Sequence, residues 1–132
     1  MSNLINLLDT YKGEKRELYP LTPSQMGIYL SCMHNPKGTM YNIPCTYVFD
    51  SGSLDTDRLI NAVRKAVDNH PIMKIFIDSS TGSPMMKPRD SVEFDIPVIQ
   101  VDNLEQAGKD FVKPFELEKD ILFRFAIFEC GD

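Results

Sequence analysis

The sequence predicts an α+β fold built as two layers, helices against sheet, and three stretches carry that prediction. Leu54 to Ile77 reads as an amphipathic helix, a proline break and a short apolar run of strand length. Tyr41 to Asp50 alternates with period two, which sets Tyr41, Ile43, Cys45, Tyr47 and Phe49 on one face of a strand. Ile121 to Phe128 is apolar at every position except Arg124, the pattern of a strand that wants cover on both faces.

The helix after Leu54 is specified by its ends. Asp55 can accept hydrogen bonds from the free N–H groups of the first turn, and Asp57 adds negative charge near the positive end of the helix dipole. Leu54 and Leu59 flank that cap as a hydrophobic staple. Leu59, Val63, Ala66, Val67 and His70 fall on one face of a 3.6-residue period, with Arg58, Asn61, Arg64, Lys65 and Asp68 opposite. Pro71 stops the helix, because the residue before a proline is pushed toward extended geometry, and Ile72 to Ile77 follows as a buried strand.

Taken in order, the chain opens with residues 1–17, a short apolar patch and a polar stretch that read as an N-terminal segment or linker; one domain over residues 18–132 follows. Thr22 and Gln25 form a capping box, Pro23 sits at the first helical position, and Leu21 with Met26 makes a second staple. That helix carries Met26, Tyr29, Leu30 and Met33 on its apolar face and ends by Asn35-Pro36-Lys37-Gly38. Pro44 cannot donate to a ladder, so the firm part of the next strand is Cys45 to Phe49. Asp78 to Pro84 is turn chemistry, with Met85 to Pro88 as the returning arm of a hairpin. Val92 to Val101 reads as a strand interrupted by Pro97, and Asn103 caps a helix with Leu104, Ala107 and Phe111 on one face, ended by Pro114.

A chain of 132 residues is one domain and should bury roughly two-thirds of the surface its unfolded form exposes, enough for a sizeable core. The net charge of −5, without a basic run, argues against nucleic acid and anionic membranes as partners. No stretch is apolar for long enough to span a bilayer and no secretory signal is recognisable, so the expected location is cytoplasmic. Cys32, Cys45 and Cys130 lie at wide spacings with no metal-ligand pattern and read as reduced thiols.

The residues that could carry chemistry are few. His34 reads as a surface residue, and His70 as a structural histidine on the apolar face, with a general-base role as the alternative. Asp55 and Asp57 are accounted for by the helix start, and Glu116 and Glu118 read as a solvated edge. No serine elbow or phosphate-binding glycine pattern is present, so no complete catalytic constellation can be assembled and no cofactor is expected to bind directly.

Three motifs nevertheless resemble one family. Tyr19 to Leu30 resembles the first core motif, S-x-A-Q-x-R-L/M-W/Y-x-L, of the condensation domains of nonribosomal peptide synthetases: Thr22, Ser24, Gln25, Ile28 and Tyr29 take its S, A, Q, L/M and W/Y places. Asn69 to Ile77 is similar to the second, R-H-E-x-L-R-T-x-F, with His70 in the H place and Lys74 in the second R place. Lys113-Pro114-Phe115-Glu116-Leu117 and the run after it are similar to the P-F-D-L segment and strand that precede the catalytic motif. The matches keep the family's order. Gly27 stands where the first motif has arginine, Asn69, Pro71 and Ile77 depart from the second, and the catalytic H-H-x-x-x-D-G would begin beyond Asp132.

The resemblance implies the N-terminal lobe of a chloramphenicol-acetyltransferase-like fold and a piece of a longer polypeptide. It implies that carrier domains deliver acyl groups as thioesters on phosphopantetheine arms, and that an acceptor amine attacks the donor thioester to form an amide. The motif residues would be scaffold, with Lys74 a partner for a carboxylate near the site. The alternatives are a half-domain that docks a carrier protein or another part of a synthetase without chemistry, and an acyltransferase, epimerisation or cyclisation member of the same fold. The chain by itself is expected to be inactive, and to self-associate or expose an apolar patch through Ile121 to Phe128.

Overall fold

In the computed structural model, residues 18–50 and 52–131 are described, so the linker reading of residues 1–17 lies outside the described residues. Strand β1, Tyr19–Pro20, leads straight into helix α1, Pro23–His34. The capping box is formed in both directions: the Thr22 N–H donates to Gln25 Oε1 at 2.8 Å, and the Gln25 N–H donates to Thr22 Oγ1 at 3.3 Å. Helix α2 is Thr56–Asn69, with the Asp55 carboxylate accepting from the Arg58 N–H. Helix α3 is Leu104–Phe111, with the Asn103 side chain accepting from the Gln106 N–H.

Pro71 does more than stop α2. It occupies the first position of a single 3-10 turn, Pro71–Lys74, so strand β2 begins only at Ile75 and runs to Asp78. The expected strand start at Ile72 is therefore corrected: a proline with a preset φ suits the opening of a helical turn, and Ile72 is left exposed. The hairpin with β3, Met85–Pro88, forms as expected, pairing Ile77 with Met86 in antiparallel register. Its turn closes through Gly82, whose φ of +88° is open to glycine at little cost. The β1 residues pair on the far side of β3, giving the order β1-β3-β2. That two-residue strand is not legible in the sequence, where no alternation marks Tyr19-Pro20.

The second sheet is a parallel pair, β4 (Val98–Val101) with β5 (Ile127–Cys130), and α3 lies in the crossover that parallel pairing requires. Both strands are shorter than the sequence suggests, and β5 starts six residues late. Pro97 lacks an N–H but offers its carbonyl to the Ile127 N–H at 2.9 Å, which opens the ladder at that point. The preceding apolar residues serve a ring cluster instead: Phe94 meets Phe123 edge-on with centroids 5.0 Å apart and Phe125 at 6.1 Å.

Tyr41 to Asp50 is not a strand. Residues 42–50 have no ladder partner and no regular structure among the described residues. Its apolar row lies in solvent, with Ile43 88% and Tyr47 82% exposed. Alternation shows that a segment can lie on a sheet; the pairing itself must come from another strand. The sizeable core also falls short: among the described residues only Tyr29, Val67, Ile77 and Ile96 are buried. Leu30 and Met33, expected on the inner face of α1, are exposed, as is His70 on α2, while Ile60 of α2 is half-buried. The apolar patch expected at Ile121 to Phe128 is largely half-buried, and the most exposed large apolar side chains among the described residues, Ile43, Val48, Tyr47 and Met40, lie between α1 and α2 instead.

Candidate functional site

One carboxylate ties three distant parts of the chain together. Helix α1 directs Tyr29 inward, the β2–β3 turn presents Ser79, and the loop after α3 brings up Glu118. Glu118 Oε1 accepts from the Tyr29 hydroxyl at 2.7 Å and from the Ser79 hydroxyl at 2.7 Å. Both bonds are charge-assisted, which makes them stronger than neutral ones. The tyrosine hydrogen bond, followed by that of Ser79, holds the Glu118 carboxyl below the usual carboxylate range against the opposing charge of Asp78. The bond to Glu118, then burial, then the carboxylate charge push the Tyr29 phenol above its ordinary value. Glu118 is exposed, as a solvated edge would be, but its partners sit far away in sequence, where no local pattern signals them.

The pH consequences follow from those directions. Glu118, depressed in the fold, contributes fully above the ordinary glutamate value of about 4.3 and loses that contribution as pH falls through its lower folded value. Tyr29, raised in the fold, contributes fully below about 10 and loses it as pH rises through its higher folded value. In an alkaline titration followed by tyrosinate absorbance, the Tyr29 component, isolated by difference against Tyr29→Phe, is expected to ionise above the ordinary phenol value of about 10. Ionisation of that component at the ordinary value would show that the bond to Glu118 does not persist in solution.

The residues matched to the two motifs are placed apart. Thr22 and Gln25 serve the cap of α1, and the Gln25 side-chain amide also lies 3.7 Å from Met86 Sδ of β3, holding α1 against the sheet. Ser24 and Ile28 face solvent. His70 caps the end of α2, with Nδ1 2.6 Å from the Ala66 carbonyl oxygen, so that nitrogen carries the proton when the ring is neutral. Lys74 Nζ donates to the carbonyls of Asp68 at 2.9 Å and Asp90 at 3.0 Å, closing the end of α2 onto the segment after β3. Among the described residues, no hydrogen bond joins His70 or Lys74 to the Tyr29 cluster.

The arrangement fits scaffolding better than chemistry. The Ser79 hydroxyl donates to a carboxylate held in its charged form, and no histidine stands beside it to act as base. An open cleft of about 430 Å³ lies elsewhere, between Phe94, Phe111, Phe123 and Phe125, with Arg124 and Asp120 at its wall. Among the described residues no cluster of His, Cys, Asp or Glu could hold a metal ion, and no helix is long and apolar enough to cross a membrane.

The architecture is α+β, that of the N-terminal lobe of the chloramphenicol-acetyltransferase-like fold. The starter condensation domain of rhizomide synthetase, solved as a mutant with C8-CoA, superposes with a TM-score of 0.67 at 18% identity, covering 86% of this chain and 28% of that one. A double mutant of the same domain in a product-released conformation gives a TM-score of 0.69 at 17% identity, covering 99% of this chain and 30% of that one. The Condensation domain model matches residues 15–132. Bacitracin synthase 2 of Bacillus licheniformis is 31% identical over 118 residues, 88% of this chain and 4% of that synthase. Tyrocidine synthase 3 of Brevibacillus parabrevis is 28% identical over 120 residues, 89% of this chain and 2% of that protein. The chain belongs to the condensation-domain family of nonribosomal peptide synthetases and corresponds to the N-terminal part of such a domain.

Proposed function

We propose that this chain supplies the N-terminal scaffold of a condensation domain that joins acyl or aminoacyl groups held as thioesters on the phosphopantetheine arms of carrier domains. The observation that carries the reading is the family match across residues 15–132. In the completed domain the acceptor amine attacks the donor thioester carbonyl, the carrier thiol leaves, and an amide remains. Alignment of the two tethered reactants supplies much of the acceleration. The partners are carrier domains and the rest of a synthetase.

Within that reaction, Thr22 caps helix α1, Gln25 holds it on the sheet, Tyr29 ties it to Glu118, and His70 with Lys74 fixes the end of α2. None of them is assigned to the reacting atoms. The isolated chain, offered two carrier domains loaded with aminoacyl thioesters, is expected to release no dipeptide, whereas a polypeptide that continues from it through H-H-x-x-x-D-G is expected to do so. Turnover by the isolated chain would defeat the scaffold reading; failure of the continued polypeptide with every carrier pair would favour a docking half-domain.

A further inference from the structure

Residues 112–120, between α3 and the apolar run, are held at two places by bonds of different kinds. At the near end the held groups are main-chain carbonyls. The Lys113 carbonyl accepts from the Asn42 side-chain amide at 2.8 Å and from Arg124 Nη1 at 2.7 Å, and the Pro114 carbonyl accepts from Arg124 Nη2 at 2.7 Å. Neither a carbonyl, nor a side-chain amide, nor a guanidinium changes its charge in acid. At the far end the held group is the Glu118 carboxylate, bonded to Tyr29 of α1 and Ser79 of the β2–β3 turn. A proton there turns one acceptor oxygen into a donor and removes the charge that strengthens both bonds.

We infer that residues 112–120 form a strap with a fixed hinge at Lys113 and Pro114 and an acid-released latch at Glu118, which opens while the rest of the fold persists. Tyr29 faces Glu118 from α1, and Ser79 and Asp78 face it from the β2–β3 side. Asp78 is occupied elsewhere, by the Ser80 N–H at 2.9 Å and by Lys87 of β3 at 3.5 Å. Among the described residues no ion pair holds Glu118, so two hydroxyls make the whole latch. On the strap itself, Glu116 pairs with Lys119 and Asp120 accepts from the Glu116 N–H; these bonds close the strap on itself and reach neither α1 nor the turn. Asp120 also approaches Arg124 at 3.6 Å, beside the hinge. Because the Glu118 carboxyl is depressed in the fold, by the Tyr29 bond first, the latch is complete above the ordinary glutamate value of about 4.3 and is lost as pH falls through the lower folded value. The β2–β3 hairpin is held by main-chain pairing, which does not titrate.

The test follows the Tyr29 ring signals and the strap amides of the whole chain by NMR through an acid titration, with Glu118→Gln beside the wild type. Glutamine keeps an oxygen acceptor in the same place and cannot gain the proton. In the wild type the Tyr29 signals are expected to move through one transition below about pH 4.3. Over the same range the amides of residues 117–120 are expected to lose at least about threefold in protection against hydrogen exchange, while those of β2 and β3 keep theirs. Glu118→Gln is expected to show neither change. Tyr29→Phe removes one of the two latch bonds and is expected to lower strap protection already at neutral pH, which decides the matter should Glu118→Gln not fold. A Tyr29 transition that survives in Glu118→Gln would assign the response to Asp78 or Asp120 and overturn the latch. Loss of protection in strap and hairpin together would show unfolding in place of local release and overturn it as well, as would a wild type without the transition or full strap protection in Tyr29→Phe.

Discussion

Ile77→Ala is expected to destabilise the chain by about 3 kcal/mol, within the range seen when buried isoleucine is truncated. Ile77 is 7% exposed, lies in β2 and pairs with Met86 of β3. Truncation removes three carbons from one of only four buried apolar side chains among the described residues, and the neighbouring main chain is held by the ladder, so the gap closes poorly. With so few buried groups, one cavity removes a large share of a stability that is small in any domain. Urea unfolding of the two proteins should show the loss as a lower midpoint at similar slope. A loss below about 1 kcal/mol would mean that the site collapses around alanine, and that the sheet is less firmly packed than its register suggests.

Arg124→Lys is expected to cost about 2 kcal/mol, and Arg124→Met about 3, even though lysine keeps the charge. The guanidinium donates through Nη1 to the Lys113 carbonyl and through Nη2 to the Pro114 carbonyl, each at 2.7 Å. Its central carbon lies 3.9 Å from the Phe115 ring centroid, and Asp120 approaches at 3.6 Å. The carboxylate contact is long and partly solvated and adds little; the two short bonds and the stacked ring carry the effect. An ammonium can replace one of those bonds but cannot present two parallel donors while lying flat on a ring. Equal stability of the wild type and Arg124→Lys would show that the fork is dispensable. The same fork explains why the apolar run does not begin a strand at Ile121: Arg124 is turned toward residues 113 and 114, and β5 starts beyond it.

How much was legible in the sequence depended on how far each decisive contact reaches. The starts of α1, α2 and α3 were readable because Thr22, Asp55 and Asn103 each accept from an N–H three residues on, a distance at which composition and geometry are one question. The hairpin of β2 and β3 was readable for the same reason, its turn residues standing between its two arms. The motif residues could be named, but the Tyr29–Glu118–Ser79 cluster could not. Glu118 has no local signature, and it meets Tyr29 across 89 positions of chain. A signal existed in part: Tyr29 was placed on the inner face of a helix, and a buried phenol needs a hydrogen-bond partner.

The sequence by itself thus determined where helices begin, where proline stops them, the α+β class and the order of the family motifs, because each is written in residues a few positions apart. Tertiary structure alone decided which strands exist and how long they are. Tyr41 to Phe49 has the alternation of a strand and no ladder, whereas Val98 to Val101 and Ile127 to Cys130 become strands where Pro97 offers its carbonyl to Ile127. A helix satisfies its hydrogen bonds within itself; a strand takes them from a neighbour, and that neighbour is chosen by the fold.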